Sequence, residues 1–236
     1  MNNATLQIKL KQRLNKLDSQ DFDNIEPWQM IEAFNKAQVE WCRRNLHGGN
    51  IYKEGDEASK RRIDDLQVLL RELPLTGSNT STFFESNNFP DKDEYLEFKR
   101  VSTDANTECC PDARSMTVYL AEEANVNLIL RDPLKKPSFE WGETFCTLID
   151  GQLRIYREED FNILNPVLTY YRRPTYIEVA GVIDPYTGVA PAADTDSEFK
   201  DDIVELFIDE AASIIAGDIS NYGQAQLNQQ AAERSN

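Results

Sequence analysis

The sequence predicts an α+β protein: N-terminal amphipathic helices, a central antiparallel β region with a hairpin, and a C-terminal helix followed by a flexible tail. Three observations lead there. Apolar residues recur at helical spacing through the first 73 positions. Between Tyr95 and Glu178 the pattern changes to short alternating runs, two of them joined by Asp150-Gly151. Helical spacing returns after Ser197. Periods of 3.6 and 2 separate helix from strand because they set which side chains share a face.

Leu6, Leu10, Leu14 and Leu17 define the stripe of a first helix. A second begins at Pro27, whose fixed φ suits a first helical turn, with Asn24 as cap and Glu26 near the positive helix end. Met30, Phe34, Ala37 and Trp41 form its stripe, flanked by Trp28 and Ile31, and Gly48-Gly49 supplies the stop. A third helix is predicted over 58–73, with Ile63, Leu66, Leu70 and Leu73 inward and Pro74 ending it.

From Thr76 to Asn88 the chain is rich in Gly, Ser, Asn and Thr, and reads as a long loop with room for a short strand. Strands are predicted at Tyr95–Val101, Met116–Leu120, Phe145–Ile149, Leu153–Tyr156 and Val167–Tyr171. Asp150-Gly151 tolerates the left-handed backbone of a tight hairpin. Asp184 to Gly188 is a turn, and Val189 to Thr195 an Ala/Pro linker. The last helix carries Phe199, Ile203, Leu206 and Phe207 on its apolar side and stops at Gly217. The expected divisions are a helical layer over 1–75, an antiparallel β region with long loops over 76–196, a closing helix over 197–217 packed on the N-terminal helices, and an extended tail over 218–236.

The charge restricts function. The 236 residues include 41 acidic and 25 basic side chains, a formal net charge of −16. Such a surface repels phosphate, which disfavours a nucleic-acid-binding module. The four cysteines, Cys42, Cys109, Cys110 and Cys146, contain no C-x-x-C pair. The first residues lack an apolar signal core, so reduced thiols and a cytoplasmic origin are expected.

Catalytic chemistry finds few candidates. His47 is the only histidine, so a multi-histidine metal site is excluded and any Ser–His or Cys–His nucleophile would need it. Its place before Gly48-Gly49 suits a helix cap. Adjacent carboxylates such as Asp64-Asp65 and Glu122-Glu123 read as solvated surface, because acid–base work needs two carboxyls in unlike environments. Asp194, Asp196, Glu198, Asp202 and Glu205 occupy positions 1, 3, 5, 9 and 12 of a calcium loop, but Phe199 stands where that loop needs glycine. The stretch reads better as an acidic helix start. No catalytic residue, metal or cofactor is assigned.

Several segments resemble the head–tail connector, or adaptor ring, proteins of tailed bacteriophages, most closely those of crAss-like phages. They are Ile25 to Arg44 (IEPWQMIEAFNKAQVEWCRR), Ile63 to Leu70, Phe89 to Val101, Pro137 to Thr144, Tyr170 to Pro174 with Asp184 to Gly188, and Glu198 to Ala212. The resemblance implies a structural, non-enzymatic virion protein at the head–tail junction, assembled in the host cytoplasm. Its partners would be the portal protein and neighbouring ring or tail proteins, in a ring of about twelve copies. Genomic DNA would pass through without tight binding, and no membrane would be involved. By analogy the C-terminal tail would dock on the portal through Ile219, Tyr222 and Leu227. Other readings are a different virion ring protein, such as a tail terminator or tail-tube component, and a carboxylate- and metal-dependent hydrolase.

Overall fold

A computed structural model of the chain describes residues 1–14, 25–47, 64–109 and 111–218. They include helices α1 (Asn3–Leu14), α2 (Pro27–His47), α3 (Val126–Arg131) and α4 (Asp201–Asp218). One sheet holds eight strands: β1 (Leu70–Pro74), β2 (Gly77–Asn79), β3 (Phe83–Ser86), β4 (Tyr95–Thr107), β5 (Arg114–Leu120), β6 (Glu143–Ile149), β7 (Gln152–Tyr156) and β8 (Phe161–Arg172). The α+β class is as predicted. The chain divides into two compact units: a helical unit from residues before 69 and after 173, and a sheet unit from Leu69–Arg173 inserted within it.

In the helical unit, α1 and α2 both pack on α4, as predicted for a closing helix. The predicted stripes are the buried ones: Leu6, Leu10 and Leu14 of α1, and Met30, Phe34, Ala37 and Trp41 of α2. Phe207 sits at the centre of an aromatic cluster, 5.2 Å from the Phe199 ring, 5.4 Å from Trp41 and 5.7 Å from Phe34, all edge-on. Edge-on pairs set a positive ring edge against a negative face, so they add to the gain from burial. Around this core Arg13 Nε donates to Asp209 at 2.6 Å, and Lys9 pairs with Glu205.

Residues 174–200 belong to this helical unit, not to the β region in which the sequence analysis placed those before 197. They form an arch held by side-chain amides. Asn35 of α2 donates to Ile177 O at 3.2 Å and accepts from Ile177 N at 2.9 Å. Fully buried Gln38 donates to Thr175 O at 3.1 Å. Asn3 of α1 donates to Glu178 O at 2.8 Å and Thr195 O at 3.2 Å. The stretch read as an Ala/Pro linker is the returning limb, paired through Glu178 and Thr195. At its tip, Gly188 N donates to Asp184 O at 2.8 Å, the predicted turn.

The sheet order is β1-β8-β4-β5-β6-β7-β3-β2. The hairpin at Asp150-Gly151 forms as predicted, with φ of 50° and 69° at its two turn residues. Three details differ from the expectation. The predicted third helix stops short: a helical turn ends at Leu69, and Leu70–Pro74 runs as β1 against Val167–Tyr171 of β8. Leucines at helical spacing also fit a strand once a neighbouring strand offers partners, and Pro74, read as a helix stop, ends an edge strand where no ladder donor is needed. The predicted loop at 76–88 holds the β2–β3 hairpin. The β region is not wholly antiparallel, because β5 and β6 pair in parallel. Their crossover contains α3, in a stretch to which the sequence analysis assigned no element.

Strands β1 and β2 are consecutive in sequence yet stand at opposite ends of the sheet. The segment 70–79 therefore closes the sheet on itself. Beyond β1, Leu75 N donates to Pro166 O at 2.7 Å, and Asn79 then bonds both backbone groups of Ile163, at 3.1 and 3.2 Å. Closure confines the edges that invite strand-to-strand aggregation to the outer sides of β1 and β2. It requires Gly77, since a Cβ there would fall 1.9 Å from Glu85 O. The interior is filled by Phe84, Met116, Leu153, Ile155, Phe161 and Leu168, among others. A smaller cluster on the opposite face joins Phe145, Tyr156 and Val126, fixing α3 to the sheet.

Candidate functional site

The predicted portal-docking residues Ile219, Tyr222 and Leu227, and the rest of the stretch predicted as a tail from residue 219 on, lie outside the described residues, as do the Gly48-Gly49 stop and Leu17. His47 is the last residue of α2. The calcium-loop carboxylates do not converge. Asp194 accepts from Ala180 N at 2.7 Å, Asp196 from Asn3 N at 3.2 Å and Glu198 from Thr175 N at 2.9 Å. Phe199, at the glycine position of the template, is buried against Trp41 and Phe207. These acids organise the arch. Among the described residues no three His, Cys, Asp or Glu side chains gather as a metal site.

Cys42 and Cys146 are buried, and burial pushes both thiols up to about 12, far from nucleophilic reactivity at neutral pH. Tyr170 is buried and donates to Glu94 at 2.6 Å; desolvation, then that carboxylate, raises its phenol to about 12. The Tyr170-Tyr171-Arg172-Arg173 run thus contributes its tyrosines to the sheet unit's packing.

Two surfaces remain. The first is a cleft of about 880 Å³ in the helical unit, between the outer face of α2 and the arch. Trp28, Ile31 and Val39 of α2 line one wall, and Tyr176, Val182, Tyr186 and Val189 the other. The Tyr186 ring stands 6.4 Å from Trp28, edge-on, and its hydroxyl donates to Glu32 at 3.4 Å, whose charge holds the phenol proton above its ordinary pKa. The rim carries Glu32, Glu40, Glu178 and Asp184 against Lys36 and Arg43. Trp28 and Ile31 were legible as apolar residues beyond the α2 stripe. The arch wall was not, since nothing local shows that 176–189 folds over α2.

The second surface is a projection of the sheet unit. Helix α3 turns Val126 and Ile129 toward Phe145 and Tyr156, leaving its far side uncovered. Leu128 is 68% exposed and Leu134, just beyond the helix, 69%. Arg131 is exposed beside them, and Lys135 pairs with Asp132 of its own turn, at 3.9 Å. The NLILRDPLKK run is apolar and basic in an acidic chain, a signal the sequence analysis passed over.

No protein-family model matches the chain, and no match is found among curated proteins. Among the described residues no helix is long and apolar enough to cross a membrane.

Proposed function

We propose that the protein is a structural subunit of a phage head–tail connector ring, bridging portal and tail and forming part of the DNA conduit. The observation that carries this reading is the set of large apolar side chains left uncovered in each unit: Tyr176, Tyr186 and Val189 in the helical unit, and Tyr119, Leu128, Leu134 and Trp141 in the sheet unit. Exposed apolar side chains of this size suit a protein that acts through subunit contacts. The architecture supports it further, because Ile25–Arg44 and Glu198–Ala212, two segments of the resemblance, pack together as the core of the helical unit. The acidic surface suits a conduit, since without a ladder of cations DNA slides without being held.

Electron microscopy of the protein mixed with its portal is the test. Closed rings seated on the portal are expected, and a chain truncated after Gly217 should keep its fold and lose portal binding. Normal binding by the truncated chain would remove the tail from the docking role. Failure of the full chain to engage the portal, or a salt-dependent gel shift with DNA at micromolar protein, would count against the whole reading.

A further inference from the structure

We infer that the cleft of the helical unit receives the α3 projection of a second copy of this chain, so that copies associate head to tail. The inference rests on the ring reading and gives that ring its subunit interface. The two surfaces complement each other twice. In hydrophobicity, Leu128 and Leu134 are exposed on the sheet unit, and the cleft walls of Trp28, Ile31, Val39 and Tyr186 are apolar and aromatic. Aromatic residues in a concave, partly desolvated site are the usual anchors of a protein interface. In charge, residues 126–136 carry Arg131, Lys135 and Lys136 against Asp132, with Lys135 paired to Asp132 and Lys136 to Glu158, while acids outnumber bases on the cleft rim by Glu32, Glu40, Glu178 and Asp184 to Lys36 and Arg43.

The projection's charge fits the cleft and opposes that of the chain as a whole. Two copies at −16 each repel at long range, so a contact between them is helped by a local excess of the opposite sign, which residues 126–136 supply through Arg131, Lys135 and Lys136 against Asp132. An interface joining two different surfaces is heterologous: each copy offers one projection and one cleft, and repetition generates a ring when the rotation closes.

The test is sedimentation velocity of the full chain, from micromolar to about millimolar protein, the weak end of specific association. Three samples are compared: the native chain, the projection variant Leu128→Asp/Leu134→Asp, and the cleft variant Tyr186→Asp/Val189→Asp. All four positions are exposed, so each variant should melt with the native chain. Concentration-dependent association of the native chain is expected, weaker by at least ~10-fold in either variant. Mixing the variants should give a one-to-one dimer that grows no further, because one intact projection then meets one intact cleft. A native chain that stays monomeric throughout, variants that associate like the native chain, or a mixture that forms no dimer would each overturn the interface. Loss of portal binding with this association intact would overturn the connector reading instead, so the two failures are distinguishable.

Discussion

Asn79 and Ile163 are joined by a reciprocal pair of hydrogen bonds, the Asn79 amide donating to Ile163 O at 3.1 Å and accepting from Ile163 N at 3.2 Å. One side chain thus replaces a strand residue where the sheet closes. Asn79→Ala should cost about 1–2 kcal/mol in urea unfolding, near the net worth of two hydrogen bonds. Hydrogen exchange at the Ile163 amide should accelerate. Unchanged exchange there would mean that the closure is held elsewhere. Gly77→Ala should cost more, about 3 kcal/mol, because its Cβ meets the Glu85 carbonyl and neither backbone can withdraw without breaking the β2–β3 pairing.

Phe207 gathers three rings around it and is fully buried. Phe207→Ala should destabilise the protein by about 3–5 kcal/mol, the transfer term plus the cavity left among rigid aromatics. Phe207→Leu should recover a substantial part of that. Thermal unfolding of the two variants side by side tests whether packing volume sets the loss.

The thiols should separate by burial. With Cys110→Ser as background, a thiol reagent at pH 8 should label exposed Cys109 rapidly and Cys42 and Cys146 only on unfolding. A thiol with a pKa of about 12 is on the order of 10⁻⁴ ionised at that pH, and the thiolate is the reacting species. Prompt labelling of more than one thiol in the native chain would contradict the burial of Cys42 and Cys146.

Glu210 is a buried acid paired with Arg44. Burial raises its pKa more than Arg44 lowers it, so the folded state holds its proton more tightly than the unfolded chain does. A raised folded pKa contributes stability that is present at low pH and lost as pH rises through that value. The stability of the native chain relative to Glu210→Gln should therefore increase as pH falls from neutral toward ~4, the ordinary carboxylate range. Melting temperatures of the two proteins across that range are the readout, and the opposite slope would show that the Arg44 pairing outweighs desolvation.

Much of the helical unit was legible because its information is local. The stripes of α1 and α2 obey the 3.6-residue period, and the same residues are buried. The Asp150-Gly151 turn was legible for a like reason, since few dipeptides accept two left-handed residues in succession. The candidate surfaces were legible only in fragments: Trp28 and Ile31 as surplus apolar residues, and the leucines and cations near α3 as a run whose exposure nothing nearby discloses.

By itself the sequence determined the class of the fold, the helical stripes, the central hairpin and the acidic balance, because periodicity, turn chemistry and charge act over a few residues. Only tertiary structure decided that Leu70–Pro74 pairs as a strand, that β5 and β6 run parallel, that Asn79 closes the sheet and that the arch roofs a cleft on α2. Each of those depends on a partner tens of residues away. Backbone hydrogen bonds and apolar contacts made at that distance outweigh a local helical preference worth only tenths of a kcal/mol per residue.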